Sequence, residues 1–485
     1  MSAPTHVTGR SGAVYEIVVG LEVHCELSTS TKLFCGCANH FGAAANTNVC
    51  PVCLGLPGSL PVLNERAVEY AMRIGLALNC TVRPSTFHRK NYFYPDQPKD
   101  YQISQYDEPI NVDGYLELPD ESRVGIVRAH MEEDTGKTTH VGGGGRIHGA
   151  DYSLVDYNRA GVPLVEIVSA PDIVSAEQAR SYVAELRGVL VASGASDGRM
   201  EEGSLRVDAN VSVRRVGSTE LGTRCEVKNL NSLRSLTRAI DYETARQIEL
   251  VSSGGRVVQE TRHWNEEEGR TSSMRSKEEA NDYRYFPEPD LVPLAPGEAF
   301  IERARSALGP LPASRRRRLA ELSGDAAAAR EQIVTVVDLG LDPLVIAAHE
   351  AGADFRLALA RAANEAAAKP EAALGLEPAA FSALIRLESA GTLSATQAKA
   401  VLAELLEHGG DPAEIAKRLG YEAMAEDALD DVLDAVIAAH PAEWGRFLEG
   451  DEKVTQFLLG QVMRETKGRA NGRVVAEALA LRRGN

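Results

Sequence analysis

Four stretches of this sequence put carboxylates where a β-strand would ordinarily carry apolar side chains, which is the raw material of a site for a hard cation. In YEIVVGLEVHCEL (15–27), strand alternation sets Glu22, His24 and Glu26 on one face and Val19, Leu21, Val23 and Cys25 on the other. In VPLVEIVSAPD (162–172), Glu166 interrupts a run that otherwise reads as a buried strand, and a buried carboxylate needs a partner. In GRMEEGSLRVDANVSV (198–213), Glu201 and Glu202 precede a strand with Asp208 and Asn210 on one face. The fourth stretch, HMEEDTGKTTH (130–140), offers Glu132 and Glu133, between which alternation does not choose. It also ends in Gly136-Lys137-Thr138, the close of a phosphate-binding P-loop. A P-loop needs a glycine five positions before Gly136, and Met131 stands there among acids that would repel a triphosphate. The stretch therefore reads as part of a cation site, and oxygen-rich ligation suits Mg²⁺ better than a transition metal.

Two further segments carry chemistry. FHRKNYFYPDQPKDYQISQYDEPI (87–110) alternates Arg89, Lys90 and Lys99 with Tyr92, Phe93, Tyr94, Tyr101 and Tyr106, a texture suited to contacts with phosphate and with a base or sugar. LFCGCANHFGAAANTNVCPVC (33–53) holds four of the seven cysteines as Cys35-x-Cys37 and Cys50-x-x-Cys53. Two chelating pairs can give four thiolates to tetrahedral Zn²⁺, a closed structural site. A redox pair or disulfides are the alternatives, and a reducing compartment disfavours the latter. Cys25, Cys80 and Cys225 read as small core residues, and Cys25 and His24 face opposite sides of a strand, so they form no nucleophile pair.

The elements that must position these residues fall into two textures. Residues 14 to about 292 alternate strand patterns with helices such as ERAVEYAMRIGLALN, which predicts an α+β domain on a mainly antiparallel sheet. Beyond the proline-punctuated YFPEPDLVPLAPGEAF (285–300), Ala, Leu, Glu and Arg recur at helical spacing. The expected organisation is a catalytic cradle over 1–295, an all-α domain over 296–405 and a small helical tail over 406–485, with HGGDP (408–412) as a hinge. At 485 residues, 44% hydrophobic and 25% charged, the chain has the composition of a multidomain globular protein. No apolar run is long enough to span a bilayer and the N-terminus has no signal-like apolar region, so the expected location is cytoplasmic. The net charge of −17 argues against wholesale electrostatic binding of nucleic acid. Yet residues 453–485 hold seven Lys or Arg against two Glu, a local +5.

GLEVHCEL, HRKNYFYPDQPKDYQISQYDEPI, HMEEDTGKTTH, SLVDYNRAGVPLVEIVSAPD, MEEGSLRVDANVSV, EVKNLNS, QETRHW and DYRYFPEPDLVPL, with FLLGQVMRETKGRAN near the C-terminus, resemble the B-subunit family of the bacterial glutamyl/aspartyl-tRNA amidotransferases. The resemblance runs essentially end to end. It implies an ATP-dependent ligase that phosphorylates the side-chain carboxylate of Glu-tRNA(Gln) or Asp-tRNA(Asn), after which ammonia displaces the phosphate. An amidase A-subunit releases that ammonia from glutamine, an internal channel delivers it, and a small C-subunit ties the two larger partners together. The resemblance further implies His24, Glu133 and Glu166 as Mg²⁺ ligands with Glu22 nearby, Lys90 as a phosphate-binding group and Asp208 as a substrate-orienting acid. Cys35, Cys37, Cys50 and Cys53 become a structural zinc site present in only some members. Lys467, Arg469 and Arg473 fall in the part that contacts tRNA away from its acceptor end. The glycine-rich VGGGGRIHGADYS (141–153) resembles an expanded loop without a phosphate role. A zinc-stabilised RNA-binding module without catalysis would explain the basic segments and the cysteines but not the acids on strands. A stand-alone amidase would need a nucleophile constellation, and none is evident.

Overall fold

The computed structural model describes residues 6–10, 12–142, 149–274, 283–421, 426–449, 451–466 and 472–484. The chain divides into two compact units, Met1–Ala313 and Ser314–Asn485.

The first unit is built on strands β1 (His6–Thr8), β2 (Val14–Glu26), β3 (Thr81–Val82), β4 (Thr86–Asn91), β5 (Tyr101–Glu108), β6 (Asn111–Glu117), β7 (Arg123–Glu133), β8 (Lys137–Val141), β9 (Tyr152–Asp156), β10 (Pro163–Ser169), β11 (Leu205–Arg215), β12 (Cys225–Leu230), β13 (Thr261–Asn265), β14 (Arg270–Ser273) and β15 (Phe286–Pro287). Thirteen of them form one sheet whose path runs β14-β13-β12-β11-β2-β10-β7-β5-β4-β15, while β8 and β9 make a separate ribbon. The pairings among these strands are antiparallel except for β12 with β13, which bears out the expected mainly antiparallel α+β class.

Strand β2 shows why the sheet has two unlike faces. Its residues Val19, Leu21, Val23 and Cys25 are fully buried and join one core with helices α1 (Glu65–Ala77), α2 (Ala176–Ala192) and α3 (Leu233–Ser252). Burying each aliphatic side chain of that face contributes about 1.5–3 kcal/mol. Each of these helices starts at a side chain that accepts backbone N–H groups, from Asn64, Ser175 and Ser232 respectively. The other face keeps Glu22, His24 and Glu26.

Helix α4 (Glu298–Ser306) packs against α1 and buries Ala304 in the sheet's core, so the first unit reaches Ala313 rather than ending at the expected residue 295. The second unit is all helical, from Pro312–Ser323 to Gly472–Gly484, with one core from Leu319 to Ala416 and another from Leu429 to Leu479. The HGGDP stretch is a helix-to-helix turn: Gly409 and Gly410 take φ of 66° and 109°, and Asp411 caps the helix Pro412–Arg418. Ile415 and Ala416 of that helix belong to the first of the two helical cores, so the expected 405/406 division falls inside it. Among the described residues no single helix is long and apolar enough to cross a membrane.

Candidate active site

Adjacent antiparallel strands place directly opposed residues on the same face, so register decides which acids can meet. Across β11, β2, β10 and β7, Arg206 faces His24, His24 faces Glu166, and Glu166 faces His130. One step along, Leu164 lies between Glu26 and Glu132. The open face thus gathers His24, Glu166 and Glu132. His24 Nε2 is 3.5 Å from Glu132 Oε1 and 3.6 Å from Glu166 Oε2. One donor atom from each of the three lies within 4.8 Å of the others, which fits a single divalent cation.

Glu133 is not part of this group. It shares its parity with Ala129 and Met131 and so points to the helix-covered side, where it is buried, pairs with Lys99 Nζ and accepts the Ile103 N–H at 3.0 Å. Of the expected grouping of His24, Glu133 and Glu166, the structure brings His24 and Glu166 together and sets Glu132, not Glu133, beside them. The end of β7 is covered on both sides, so burial alone marks both glutamates; only the register against β10 separates them.

The electrostatics follow from crowding in a dry setting. Burial opposes a charge on His24, but the Glu166 hydrogen bond and the charges of Glu166, Glu132 and Asp208 outweigh it and raise His24 to about 9. Burial and the neighbouring Glu166 push Glu132 up to about 7. Burial pushes Glu166 the same way, yet His130, His24 and Arg128 hold it well below the usual carboxylate range. His130, buried beside Arg128, is pushed down to about 4. A positive ion among these groups would relieve the repulsion between the two carboxylates.

His24 and Glu132 of the trio open onto a cleft of about 540 Å³ lined also by Lys90, Asp208, Lys228 and His263, among others. Strand β4 delivers Lys90, whose ammonium lies 4.8 Å from the Tyr283 ring centre. The other cations of the basic aromatic segment are taken up internally: Arg89 is bound by Glu288 through contacts of 2.6 and 2.7 Å, and Lys99 by Glu133. Opposite, Asp208 receives Lys228 Nζ at 2.6 Å. Burial disfavours the Lys228 charge, but Asp208 and Glu226 hold its pKa above the ordinary lysine value. Asn229, at φ 70°, places the neighbouring rim. Glu22 accepts Asn210 Nδ2 at 3.0 Å and lines a smaller cleft of about 180 Å³ with Ser212 and Arg224, one cross-strand pair from Asp208. Lys228 and Arg206 were not singled out from the sequence; Lys228 sits in EVKNLNS, where nothing but tertiary register points it at the cleft.

Glu201 and Glu202 sit in an exposed turn, where Glu202 pairs with Arg199 at 2.7 Å, and take no part in the cation group. The four thiols of Cys35, Cys37, Cys50 and Cys53 lie within 4.8 Å of one another, the donor set and spacing a tetrahedral zinc requires. The Cys35 thiol and nearby Lys32 bring Cys53 down to about 5 despite burial, while Cys35 itself is pushed up. Their loop is tied to β9 and the following turn by Asn46, which donates from its side chain to Val155 O at 3.1 Å, and by the Asn48 N–H, which donates to Asn158 Oδ1 at 2.8 Å. Lys467 and Arg469 lie outside the described residues, as do 143–148 of the glycine-rich loop; Arg473 is on the helix Gly472–Gly484.

Comparison with known families decides the identity. The family model for the GatB/GatE catalytic domain matches residues 17–302, and that for the GatB domain matches 353–482. The aspartyl/glutamyl-tRNA(Asn/Gln) amidotransferase B-subunit of Frankia casuarinae is 51% identical, over 97% of this chain and 96% of its own length. This chain belongs to the amidotransferase B-subunit family. Its likeness extends to the B-subunits of Salinispora arenicola, 50% identical over 97% of both chains, and of Carboxydothermus hydrogenoformans, 48% identical over 96% of this chain and 98% of that one. Within the B-subunit fold, the match to the catalytic-domain model spans every residue of the cleft and of the thiol cluster.

Proposed function

We propose that this chain is the ATP-dependent kinase and amidating subunit of a tRNA amidotransferase. The observation that carries the reading is the open sheet face itself: a trio that could hold a cation reaches one polar cleft through His24 and Glu132, and Lys90 and Lys228 line the same cleft. Its relatives are named for aspartyl- and glutamyl-tRNA, and a carboxylate is a poor electrophile that chemistry must first activate.

In the proposed reaction an oxygen of the tRNA-borne side-chain carboxylate bonds to the γ-phosphorus of ATP. The bond from that phosphorus to the β–γ bridging oxygen breaks and ADP leaves. Ammonia nitrogen then bonds to the acyl carbon, the carbon–oxygen bond to phosphate breaks, and phosphate departs with the former carboxylate oxygen and the proton that the nitrogen gives up. Phosphoryl transfer of this kind is mostly positioning and charge neutralisation. His24, Glu132 and Glu166 would hold Mg²⁺, which when bound neutralises phosphate charge. Lys90 binds the transferred phosphoryl group from one wall, and Asp208, braced by Lys228, orients the incoming substrate from the other. Cys35, Cys37, Cys50 and Cys53 would hold Zn²⁺, which would keep the 33–53 loop closed without entering the chemistry. The amidase A-subunit supplies ammonia, and the small C-subunit joins that amidase to this chain. Glu-tRNA(Gln), Asp-tRNA(Asn) or both are the substrates, in the cytoplasm. Lys467, Arg469 and Arg473 in the tail hold the tRNA body away from its acceptor end, which lets a protein of net charge −17 bind RNA locally.

The test supplies Glu-tRNA(Gln) or Asp-tRNA(Asn), ammonium chloride and γ-labelled ATP to the protein assembled with its partners, with and without Mg²⁺. Phosphate release that needs both the charged tRNA and Mg²⁺ is the expected result. Bound tRNA with no tRNA-dependent release would overturn the kinase reading in favour of a non-catalytic RNA-binding role.

A further inference from the structure

The basic aromatic segment gives Lys90 to the cleft, while the rings that follow it have no part in the chemistry described so far. Tyr92 lines the cleft together with Lys90. The two stand two residues apart, so an extended chain sets them on one side at a spacing of ~7 Å. The Tyr94 ring stacks on Tyr92, with centres 4.6 Å apart and planes 25° from parallel. Tyr92 covers one face of Tyr94, yet Tyr94 stays 42% exposed and the neighbouring Phe93 71%. A single exposed phenylalanine needs no explanation. A ring stack that starts in a polar cleft and continues outward does. The backbone beneath it is also fixed from several sides. The Tyr92 N–H donates to Asp100 O and the Gln97 N–H to Tyr94 O, each at 2.9 Å, which closes the loop on itself. The Tyr157 hydroxyl donates to Pro95 O at 2.7 Å, and the Gly136 N–H donates to Asp96 O at 2.7 Å. Rings carried on a loop tied down in this way form a surface preorganised for a flat ligand.

We propose that Tyr92, Phe93 and Tyr94 form a stacking platform for the unpaired bases at the 3′ end of the tRNA. The inference rests on the proposed function above and deepens it. An amino acid on tRNA is esterified to the terminal ribose. A side-chain carboxylate held between Lys90 and Asp208 therefore leaves the terminal base only a nucleoside's length away, at the mouth of the cleft where these rings stand. Stacking of bases on aromatic side chains tolerates any sequence, because every base has a π-face. One platform can thus serve tRNA(Gln) and tRNA(Asn) alike. In this division of labour the tail holds the tRNA body and the rings hold its end, so the local stacking, rather than the overall affinity, reports on the platform.

The experiment uses the protein assembled with its partners and tRNA(Gln) or tRNA(Asn) whose terminal adenine is replaced by 2-aminopurine, a base whose fluorescence falls when it stacks. Quenching on binding is expected in the unsubstituted protein. It should persist in Tyr94→Phe, which keeps the ring and loses the hydroxyl. Phe93→Ala and Tyr94→Ala should each lose much of the quenching and raise KM for the charged tRNA about tenfold, on the scale of one stacked base. Bound tRNA without quenching, or full quenching in both alanine variants, would overturn the platform, while tRNA-dependent phosphate release would leave the kinase reading standing. Quenching that saturating ATP abolishes would overturn it in favour of the base of ATP itself. Loss of the partner subunits from the Phe93→Ala assembly on gel filtration would make the surface a protein contact instead. No binding of the labelled tRNA at all would overturn both the platform and the function it rests on.

Discussion

Glu132 and Glu133 are neighbours in sequence and look to opposite sides of the sheet, so substituting them should produce two different kinds of loss. Glu132→Gln removes one charged donor from the cation trio. We expect amide formation to fall at least about 100-fold, the upper end of the loss typical for outer partners of a metal site, with the melting temperature nearly unchanged. Glu133→Ala leaves Lys99 buried without its carboxylate, and breaking a buried pair in this way costs about 3–5 kcal/mol. Thermal unfolding of the two variants beside a turnover assay separates them; equal melting temperatures with equal loss of turnover would contradict the assignment. Lys90→Ala should likewise stop phosphate release while leaving tRNA affinity, measured by filter binding, within about twofold; retained turnover would remove Lys90 from the phosphate site. At this scale sequence reading went part of the way. His24 and Glu166 were legible because each breaks an otherwise buried strand pattern. The choice of Glu132 over Glu133 was not, since it depends on which face of β7 meets β10, and that register is a tertiary fact. Arg89 and Lys99 looked like Lys90 in sequence, and only their buried partners Glu288 and Glu133 withdraw them from the cleft.

At the scale of elements, β2 does the positioning. Its odd residues are sealed against α1, α2 and α3 while its even residues carry Glu22, His24 and Glu26. Leu21→Ala would open a cavity on the sealed face directly behind the cation trio and should destabilise the first unit by about 2–5 kcal/mol, read by denaturant unfolding. The thiol loop is a separate device. It brings four sulfurs within reach of one metal ion and is tied by hydrogen bonds to β9 and the turn after it, at Val155 and Asn158. Removing zinc with a chelator should raise amide hydrogen exchange in residues 33–62 and lower the melting temperature, without abolishing ATP-dependent phosphate release. Complete loss of release in a chelated but still folded protein would show that the loop serves the chemistry directly. This alternation and the Cys spacing were both plain from the sequence, because period two and chelate spacing are local properties. That α4 belongs to the sheet unit was not, because its apolar face looks the same whichever core receives it.

On the scale of the whole molecule, our proposal divides the work between the acidic body, which does the chemistry, and the basic C-terminal stretch, which holds RNA. The second helical core, Leu429 to Leu479, is distinct from the one that ends with Ala416, so a chain ending at Tyr421 should keep the first helical core intact. Its tRNA affinity should be weaker and the salt dependence of binding shallower, since up to eight cations leave with residues 422–485. An unchanged affinity and salt slope would place the tRNA body elsewhere. The central claim is that the substrate carboxylate itself is phosphorylated on the open sheet face. The direct measurement is to charge tRNA with glutamate or aspartate carrying ¹⁸O in its side-chain carboxylate, run the complete reaction, and weigh the released phosphate by mass spectrometry. The account requires one ¹⁸O atom in each phosphate released together with amide product. Phosphate free of ¹⁸O, at full amide yield, would contradict it.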